Sequence, residues 1–318
     1  YIGGKQYMDG QIENLGTIAE FIIYVNMLTW PVASIGWVTS LIQEAEASQK
    51  RINEFLKQTP SIINNCELET KIDGSISFKD VYFKYEDTNI QALKGVSFEV
   101  KMGQTLAIIG NTGSGKSTIL ELIGRLYDVQ KGQIEVDGIA IQSQNLDSLR
   151  SSIGFVPQDP FLFSDSLKKN IKFGKNNASD NEVIEASKMA VVHDNIINFK
   201  NGYDTILGER GITLSGGQKQ RVSIARAFIK NPQILLLDDC LSAVDTETEE
   251  QILNNIKLVT KDKTTIIVSH RISSAKNADI IVVLNNGIIT QKGSHVELIN
   301  VEGYYKDLYQ NQLQEISS

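Results

Sequence analysis

The sequence predicts an α/β fold for residues 76–318, preceded by one long apolar helix. Short apolar runs recur after Ile76 and are separated by stretches with helical spacing, a pattern typical of a sheet covered on both faces. A glycine-rich turn joins one of these runs to a helical stretch. Residues 21–42 contain no charged side chain, and 22 residues are enough to span a bilayer. We therefore expect an N-terminal apolar helix that could span a membrane, followed by an α/β domain.

The composition argues against nucleic-acid binding and against a disulfide or zinc framework. The formal charge is -7, from 31 Lys and Arg against 38 Asp and Glu, and the basic residues are scattered. A large nucleic-acid-binding surface is therefore not expected, and nucleic acid is not predicted as a partner. The cysteines, Cys66 and Cys240, are too few and too far apart for a disulfide or zinc framework.

The N-terminal stretch is predicted to be a membrane helix over about residues 17–57, with Phe21–Ile42 inside the bilayer. Pro31 would kink it, which membrane helices tolerate when neighbouring helices cover the freed carbonyls. Lys50 and Arg51 favour the cytoplasm for the far end. The alternative is a long buried helix of a soluble bundle. Residues 59–61 break the helical pattern, so we expect a linker over residues 61–75.

The strands of the α/β part are predicted in chain order. Val81, Phe83 and Tyr85 alternate with polar neighbours, and Val96 and Phe98 follow in the same way. Later runs are continuously apolar, as in strands buried on both faces: Thr105–Ile109, Ile234–Leu237, Thr264–Val268 and Asp279–Leu284.

Residues 110–117 read GNTGSGKS and match the phosphate-loop pattern GxxxxGK[ST]. A strand precedes the loop and a helix follows it, which is the context that the pattern requires. The glycines let backbone N–H groups surround an anion, Lys116 reaches the terminal phosphates, and the Ser117 hydroxyl can hold Mg²⁺. Asp238, at the end of a buried strand, is positioned to hold the same ion. Together these residues predict a nucleoside-triphosphate site.

Residues 214–218, LSGGQ, narrow the prediction to one family. The segment, formed by Leu214, Ser215, Gly216, Gly217 and Gln218, resembles the signature sequence of ATP-binding cassette (ABC) proteins. Its small residues would lie at a helix N-terminus, where free N–H groups can meet a γ-phosphate. The resemblance implies a P-loop NTPase of the ABC ATPase type for residues 76–318. Such a domain has a mixed core sheet, an antiparallel β subdomain and a helical subdomain.

The resemblance also assigns roles. Gln158 matches a glutamine that approaches Mg²⁺ and the attacking water, and His270 matches the switch histidine at the γ-phosphate. Asp245 ends a segment, Ser242–Asp245, that resembles the one that touches the partner across the dimer in this family. ATP and Mg²⁺ are the implied ligands. The phosphate-loop residues that would bind the nucleotide are Gly110, Asn111, Thr112, Gly113, Ser114, Gly115, Lys116, Ser117 and Thr118.

Two further matches leave alternatives open. Tyr85 matches the aromatic residue that stacks on adenine in this family, but it also continues the inward alternation of Val81 and Phe83. The segment Gly208–Gly211 resembles one that relays movement to the membrane domain of exporters. Its Glu209 and Arg210 could equally form a solvated ion pair.

Asp239 departs from the family pattern. The residue after the magnesium aspartate is usually Glu, which polarises the attacking water, and Asp reaches about 1 Å less far, a misplacement that can cost on the order of a hundredfold in rate. The substitution is similar to that in the slow, degenerate site of heterodimeric ABC exporters. We therefore favour a heterodimer, with a homodimer using Asp239 as the alternative.

The resemblance as a whole implies the ATPase part of an exporter that fuses membrane and ATPase regions. Residues 1–60 are then the end of a transmembrane domain, whose other helices are expected upstream of Tyr1. A second ABC half-transporter and the lipid bilayer are the expected partners. The expected location is the cell (inner) membrane, with residues 76–318 on the cytoplasmic side. The alternatives are a nucleotide-gated structural subunit with little hydrolysis, and a soluble ABC ATPase.

Overall fold

A computed structural model describes residues 1–12, 14–208 and 214–317. The chain divides into two compact units, Tyr1–Ser61 and Ile62–Ser318. Of the segment that resembles an exporter relay, Glu209, Arg210 and Gly211 lie outside the described residues, so neither interpretation of it is tested.

The first unit consists of helix α1, Ile2–Met8, and helix α2, Leu15–Leu56. The Asn14 side chain caps α2 by accepting a hydrogen bond from the N–H of Gly16. The helix continues through Pro31, and it is long and apolar enough to cross a membrane. Three of its hydroxyl groups, on Thr29, Ser34 and Thr39, donate to carbonyls of the same helix at 2.7 to 3.2 Å. A helix that spans a bilayer needs such internal pairing of its polar groups.

The second unit contains two sheets with helices around them. Its strands are β1 Ile76–Lys84, β2 Gln91–Val100, β3 Thr105–Ile109, β4 Lys131–Val136, β5 Ile139–Ala140, β6 Ile153–Val156, β7 Ile234–Asp238, β8 Thr264–Val268, β9 Ile280–Asn285 and β10 Ile288–Gly293. Its α-helices are α3 Lys116–Ile123, α4 Leu146–Ser152, α5 Leu167–Lys172, α6 Asp180–Met189, α7 His193–Ile197, α8 Gly216–Ile229, α9 Thr246–Val259, α10 Ile272–Ala275, α11 His295–Ile299 and α12 Tyr304–Ser317.

The core sheet has the strand order β10-β9-β3-β8-β7-β6, and the smaller sheet has the order β2-β1-β4-β5. Neighbouring strands from β9 to β6 run parallel, whereas β10 pairs antiparallel with β9. All pairs of the smaller sheet are antiparallel. With the helices packed around them, these sheets confirm the predicted ABC ATPase fold.

Strand register brings the carboxyl ends of the central strands to one edge. Ile108 of β3 lies beside Val268 of β8, which in turn lies beside Asp238 of β7. In open α/β sheets, ligands bind at this edge. The predicted phosphate loop, Asp238 and His270 all follow these strand ends.

The core strands are apolar throughout because both of their faces are buried. Leu106 and Ile108 face the cluster shared with the antiparallel sheet, while Ala107 and Ile109 face the cluster beneath α10 and α12. On β7, Leu235 belongs to a third cluster, formed with the helices from α5 to α9. Alternate side chains thus enter different cores, which accounts for the continuous apolar runs.

Residues 62–75 belong to the second unit and are tied to it at Asp137. The Asp137 carboxylate accepts hydrogen bonds from the N–H groups of Asp73, Gly74 and Ser75, at 2.7 to 3.1 Å. The Gly74 carbonyl accepts from Thr264 Oγ1 at 2.6 Å, at the start of β8. This link fixes where the chain enters the two sheets.

Candidate nucleotide site

The phosphate loop turns between β3 and α3 in a space that excludes side chains. Gly115 has φ of 99°, in the left-handed region, and a Cβ there would lie 2.6 Å from the Ala92 carbonyl. A Cβ on Gly110 would lie 2.1 Å from the Leu284 carbonyl. Glycine is therefore required at both positions, because neighbouring backbone closes on the loop.

Lys116 lies inside the loop. Its Nζ donates to the carbonyls of Gly110 and Asn111 at 2.9 and 2.8 Å, and the side chain is buried. An ammonium group has three donors, so one remains for a phosphate oxygen. Burial lowers the Lys116 pKa, and the nearby Asp239 and Asp238 partly oppose this effect. A poorly solvated cation of this kind favours an anionic partner.

The other loop residues also suit a phosphate group. Asn111, Thr112 and Gly113 are exposed at its outer turn, whereas the Ser114 hydroxyl is buried and has no hydrogen-bond partner among the described residues. A buried hydroxyl that has no partner within this glycine-rich loop is available to a phosphate oxygen. The loop therefore fits a nucleotide phosphate.

Asp238 and Ser117 form the predicted magnesium pair. Asp238 ends β7 and is buried, and the Ser117 hydroxyl hydrogen-bonds to its carboxylate. Burial raises the Asp238 pKa, the Ser117 bond opposes this, and the adjacent Asp239 raises it further. Carboxylate and hydroxyl oxygens are ligands that Mg²⁺ prefers, so the pair fits that ion beside the phosphate loop.

Asp239 and Gln158 meet beside this pair. Gln158 follows β6, and its Nε2 donates to Asp239 Oδ2 at 3.3 Å. The Asp239 backbone has φ of 42°, and its N–H donates to the Val268 carbonyl at 2.9 Å. The sequence separates these two residues by 81 positions, yet the parallel sheet brings them to one edge.

His270 lies two residues beyond the end of β8. The N–H of Ser269 donates to the Ile108 carbonyl at 3.2 Å, which ties this loop to the strand that leads into the phosphate loop. The His270 carbonyl accepts from Gln312 Nε2 at 2.9 Å. The histidine is partly exposed.

Tyr85 follows β1, and its surroundings are compatible both with stacking on adenine and with packing as part of the core. Its half-buried ring contacts Phe83 and Tyr127 edge-on, with centroids 4.9 and 5.4 Å away. Its hydroxyl donates to Glu121 at 2.7 Å and lies 3.0 Å from Thr118 Oγ1. Burial is the main cause that raises its pKa to about 12. Stacking on adenine remains a prediction.

The signature segment packs against residues 242–245 of its own chain. Ser215 caps α8 in a reciprocal box with Gln218, and Leu214 is buried in the core of the helical region. A Cβ on Gly217 would lie 2.7 Å from the Ala243 carbonyl. The exposed Ser215 and Gly216 thus present the start of a 14-residue helix outward.

Asp245 caps helix α9. Its carboxylate accepts from the N–H of Thr248 at 2.9 Å, and this bond is the main cause of a lowered pKa. The residue is exposed. Its contact with a partner and with nucleotide stays a prediction.

Sequence reasoning missed the side chains that support these groups. Glu121 lies one helical turn beyond Thr118, so spacing could have pointed to it. Glu249 and Gln312 hold the residues around His270, but they lie on α9 and α12, and no local pattern connects them to the site.

Fold and site together define a P-loop NTPase with an ABC signature. Residues 93–242 match the family model described as ABC transporter. Residues 93–242 therefore form a domain of the ABC transporter family, and the chain as a whole is similar to ABC exporters and to ATP-binding/permease proteins.

Relatives extend this match over almost the whole chain. It is 42% identical over 98% of its length to multidrug resistance-like ATP-binding protein MdlA of Escherichia coli (strain K12), covering 53% of that protein. It is 39% identical over 99% of its length to heavy metal tolerance factor 1 of Caenorhabditis elegans, covering 40% of it. A bacterial Atm1-family ABC exporter with ATP bound superposes with a TM-score of 0.81 and 38% identity, over 91% of this chain and 51% of that one. The chain thus spans about half the length of the relatives it matches.

Proposed function

We propose that this chain is the ATP-binding and ATP-hydrolysing part of an ABC exporter, in which ATP-driven pairing of two cassettes drives export of a substrate. The observation that carries the proposal is the buried Lys116 inside a glycine-built loop, with Asp238, Asp239 and Gln158 beside it. ABC ATPase domains in general bind ATP and Mg²⁺.

Each residue has a physical role in this proposal. Lys116 and the loop N–H groups hold the phosphates, and Ser117 and Asp238 hold Mg²⁺, which spreads the charge that develops on them. Gln158, Asp239 and His270 surround the attacking water. Because phosphoryl transfer needs little covalent help from protein, positioning and electrostatic stabilisation account for most of the rate.

Two cassettes complete each other's sites in this proposal. The capped start of α8 at Ser215 and Gly216 faces outward, which supports a role at the γ-phosphate held by a partner's loop. Asp245, exposed at the start of α9, lies on the same packed segment. The partner is a second ABC half-transporter.

Asp239 supports a heterodimer in which this chain contributes the slow site. Its shorter side chain holds the carboxylate about 1 Å further from the water than Glu would, a displacement that costs on the order of a hundredfold. Its intact signature then serves the partner's faster site. A homodimer in which Asp239 acts through an extra water is the alternative.

The exposed apolar surface of α2 supports a place in the bilayer. The helix is long enough to span it, and the side chains of its apolar window are unburied in the described structure. We infer that it is the last helix of a longer transmembrane domain in the cell (inner) membrane, with residues 76–318 in the cytoplasm. The relatives are about twice as long as this chain, which supports further membrane helices.

Asp239 also favours a second candidate, a nucleotide-gated structural subunit that binds ATP and pairs but barely hydrolyses it. ATP turnover of the full assembly with Asp239→Asn and Asp239→Glu separates the candidates. Asp262→Asn, at an exposed aspartate, is the matched control.

The slow-site proposal expects Asp239→Glu to raise total turnover by up to about twofold, because it adds this site to the partner's active one. It also expects Asp239→Asn to lower total turnover little, because the partner's site continues. If neither variant changes turnover, this site is a binding element only. A collapse of turnover with Asn would rule out both the slow site and the structural subunit.

A further inference from the structure

The loop that carries His270 is clamped by a side chain from the C-terminal helix. Gln312 of α12 donates from Nε2 to the His270 carbonyl at 2.9 Å, and its Oε1 accepts from the N–H of Ile272 at 2.8 Å. Both ends of one amide thus pair with a carbonyl and an N–H two residues apart, as a neighbouring strand would. The bonds join residues 42 and 40 positions apart in sequence.

Arg271, the residue between these two backbone contacts, is held by α9 and by the segment before it. The Arg271 guanidinium donates to the Ser242 carbonyl at 3.0 Å and to the Glu249 carboxylate. Glu249 is 1% exposed and also accepts from the hydroxyls of Ser273 and Ser274, at 2.7 and 2.8 Å. Helix α9 therefore fixes the Arg271 side chain, while α12 fixes the backbone on either side of it.

The helix that carries Gln312 is itself anchored. Tyr305, in its first turn, is fully buried in the core beneath α10 and α12, and its hydroxyl lies 2.8 Å from Nδ1 of His295. The Tyr305 N–H donates to Gln291 at 3.1 Å. Tyr305 thus anchors the first turn of α12, and a clamp on an anchored helix holds the loop more firmly than one on a free segment, because less local motion is available to it.

We propose that Gln312 is a positioning residue for His270, so that the C-terminal helix sets where the histidine meets the phosphate. The proposal rests on the proposed function, which takes His270 as the residue at the γ-phosphate. Gln312 contacts the loop backbone and not the nucleotide, so it acts on the place of the imidazole. A displacement of about 1 Å at a reacting group costs on the order of a hundredfold in rate, while ground-state binding of ATP depends mainly on the phosphate loop.

Three variants separate this role from a structural one. Gln312→Ala removes both bonds, and Gln312→Glu keeps an acceptor for the Ile272 N–H but loses the donor to the His270 carbonyl. Asn311→Ala, at the exposed neighbour on the same helix, is the control. Melting temperature and MgATP affinity are measured for each, and we expect both to change little.

The direct readout is the imidazole resonance of His270 in the full 318-residue chain in detergent micelles. The chain has three histidines, so His270→Asn assigns the signal. We expect Gln312→Ala to shift the His270 signal, Gln312→Glu to shift it less, and Asn311→Ala to leave it unchanged. His193, in α7, is the internal reference. An unshifted His270 signal in Gln312→Ala overturns the proposal.

Single-turnover ATP hydrolysis by the full assembly is the second readout, taken with Asp239→Glu present so that this site contributes measurably. Gln312→Ala should slow hydrolysis at this site about tenfold at unchanged MgATP affinity, which appears as a slow second phase beside the unchanged phase of the partner's site. If His270→Asn leaves the rate unchanged, the proposed role of His270 fails, and the resonance measurement still tests the clamp. If His270→Asn lowers the rate and Gln312→Ala does not, only the clamp is overturned.

Discussion

At the scale of single residues, the site concentrates charge that the protein solvates poorly. The Lys116 ammonium is buried with one donor unused, and the buried Asp238 carboxylate has Asp239 beside it. Burial lowers the pKa of the lysine and raises that of the aspartate, which in each case disfavours the charged form. A bound MgATP would supply the opposite charge that each group lacks.

Asp238→Asn is expected to stabilise the nucleotide-free chain by about 1 kcal/mol at neutral pH, because it removes a carboxylate charge whose burial destabilises the folded state. Functional sites often retain such destabilising groups. The same change should weaken the Mg²⁺-dependent part of ATP binding. Urea unfolding without nucleotide measures the first effect, and ATP titration with and without Mg²⁺ measures the second.

The stability difference should depend on pH in a defined direction. The pKa of Asp238 in the folded chain lies above its unfolded value of 3.8. At pH values between these two pKa values, the folded wild type binds more protons than the unfolded chain. The wild type therefore loses stability as pH rises through this range. The advantage of Asp238→Asn should therefore be largest at neutral pH and shrink as pH falls towards 3.8. An advantage that grows on acidification would contradict the assigned cause.

Sequence patterns were informative where the chemistry lies in consecutive residues. The loop 110–117 and the segment 214–218 can be recognised from sequence because the backbone N–H groups of consecutive residues act together there. Their function therefore restricts the residue types at neighbouring positions. Contacts such as that of Gln158 with Asp239 depend on strand order, which no local pattern encodes. Glu249 and Gln312 act on the His270 loop from distant helices, and for that reason they could not be predicted.

At the scale of elements, helix α8 packs closely against residues 242–245 because Gly217 has no side chain. A Cβ on Gly217 would lie 2.7 Å from the Ala243 carbonyl, whereas one on Gly216 would lie 3.6 Å from the Ala243 Cβ, an ordinary contact. Gly217→Ala should therefore cost about 2 kcal/mol of unfolding free energy, as overpacking does. Gly216→Ala, the matched control, should change stability by less than about 0.5 kcal/mol. Equal losses would contradict the packing account.

Helix α9 is joined to the His270 loop through a buried carboxylate. Glu249→Ala should cost about 3 kcal/mol, because it leaves the hydroxyls of Ser273 and Ser274 and one donor of Arg271 unpaired. Glu250→Ala, at the exposed next residue, should have almost no effect. Denaturant unfolding of both variants checks this, and a mild loss for Glu249→Ala would show that water replaces its bonds.

At the scale of the whole molecule, the two compact units differ in what stabilises them. Residues 62–318 contain the described buried clusters and the predicted catalytic groups, whereas the apolar surface of α2 is exposed. A chain that starts at residue 62 should therefore unfold cooperatively without detergent and bind MgATP like the 318-residue chain. Thermal melts and nucleotide titrations of both chains measure this. A large loss of affinity on removing residues 1–61 would place part of the nucleotide site in the first unit.

Calorimetric titration of the chain with MgATP, compared between wild type, Lys116→Ala and Lys101→Ala, tests the central claim most directly. Lys101 is an exposed lysine in the turn before β3, so it controls for the loss of a positive charge. We predict that Lys116→Ala weakens binding about tenfold or more, since it removes a charge-assisted phosphate contact, while Lys101→Ala binds like wild type. Equal affinity in all three chains would contradict a nucleotide site at the phosphate loop.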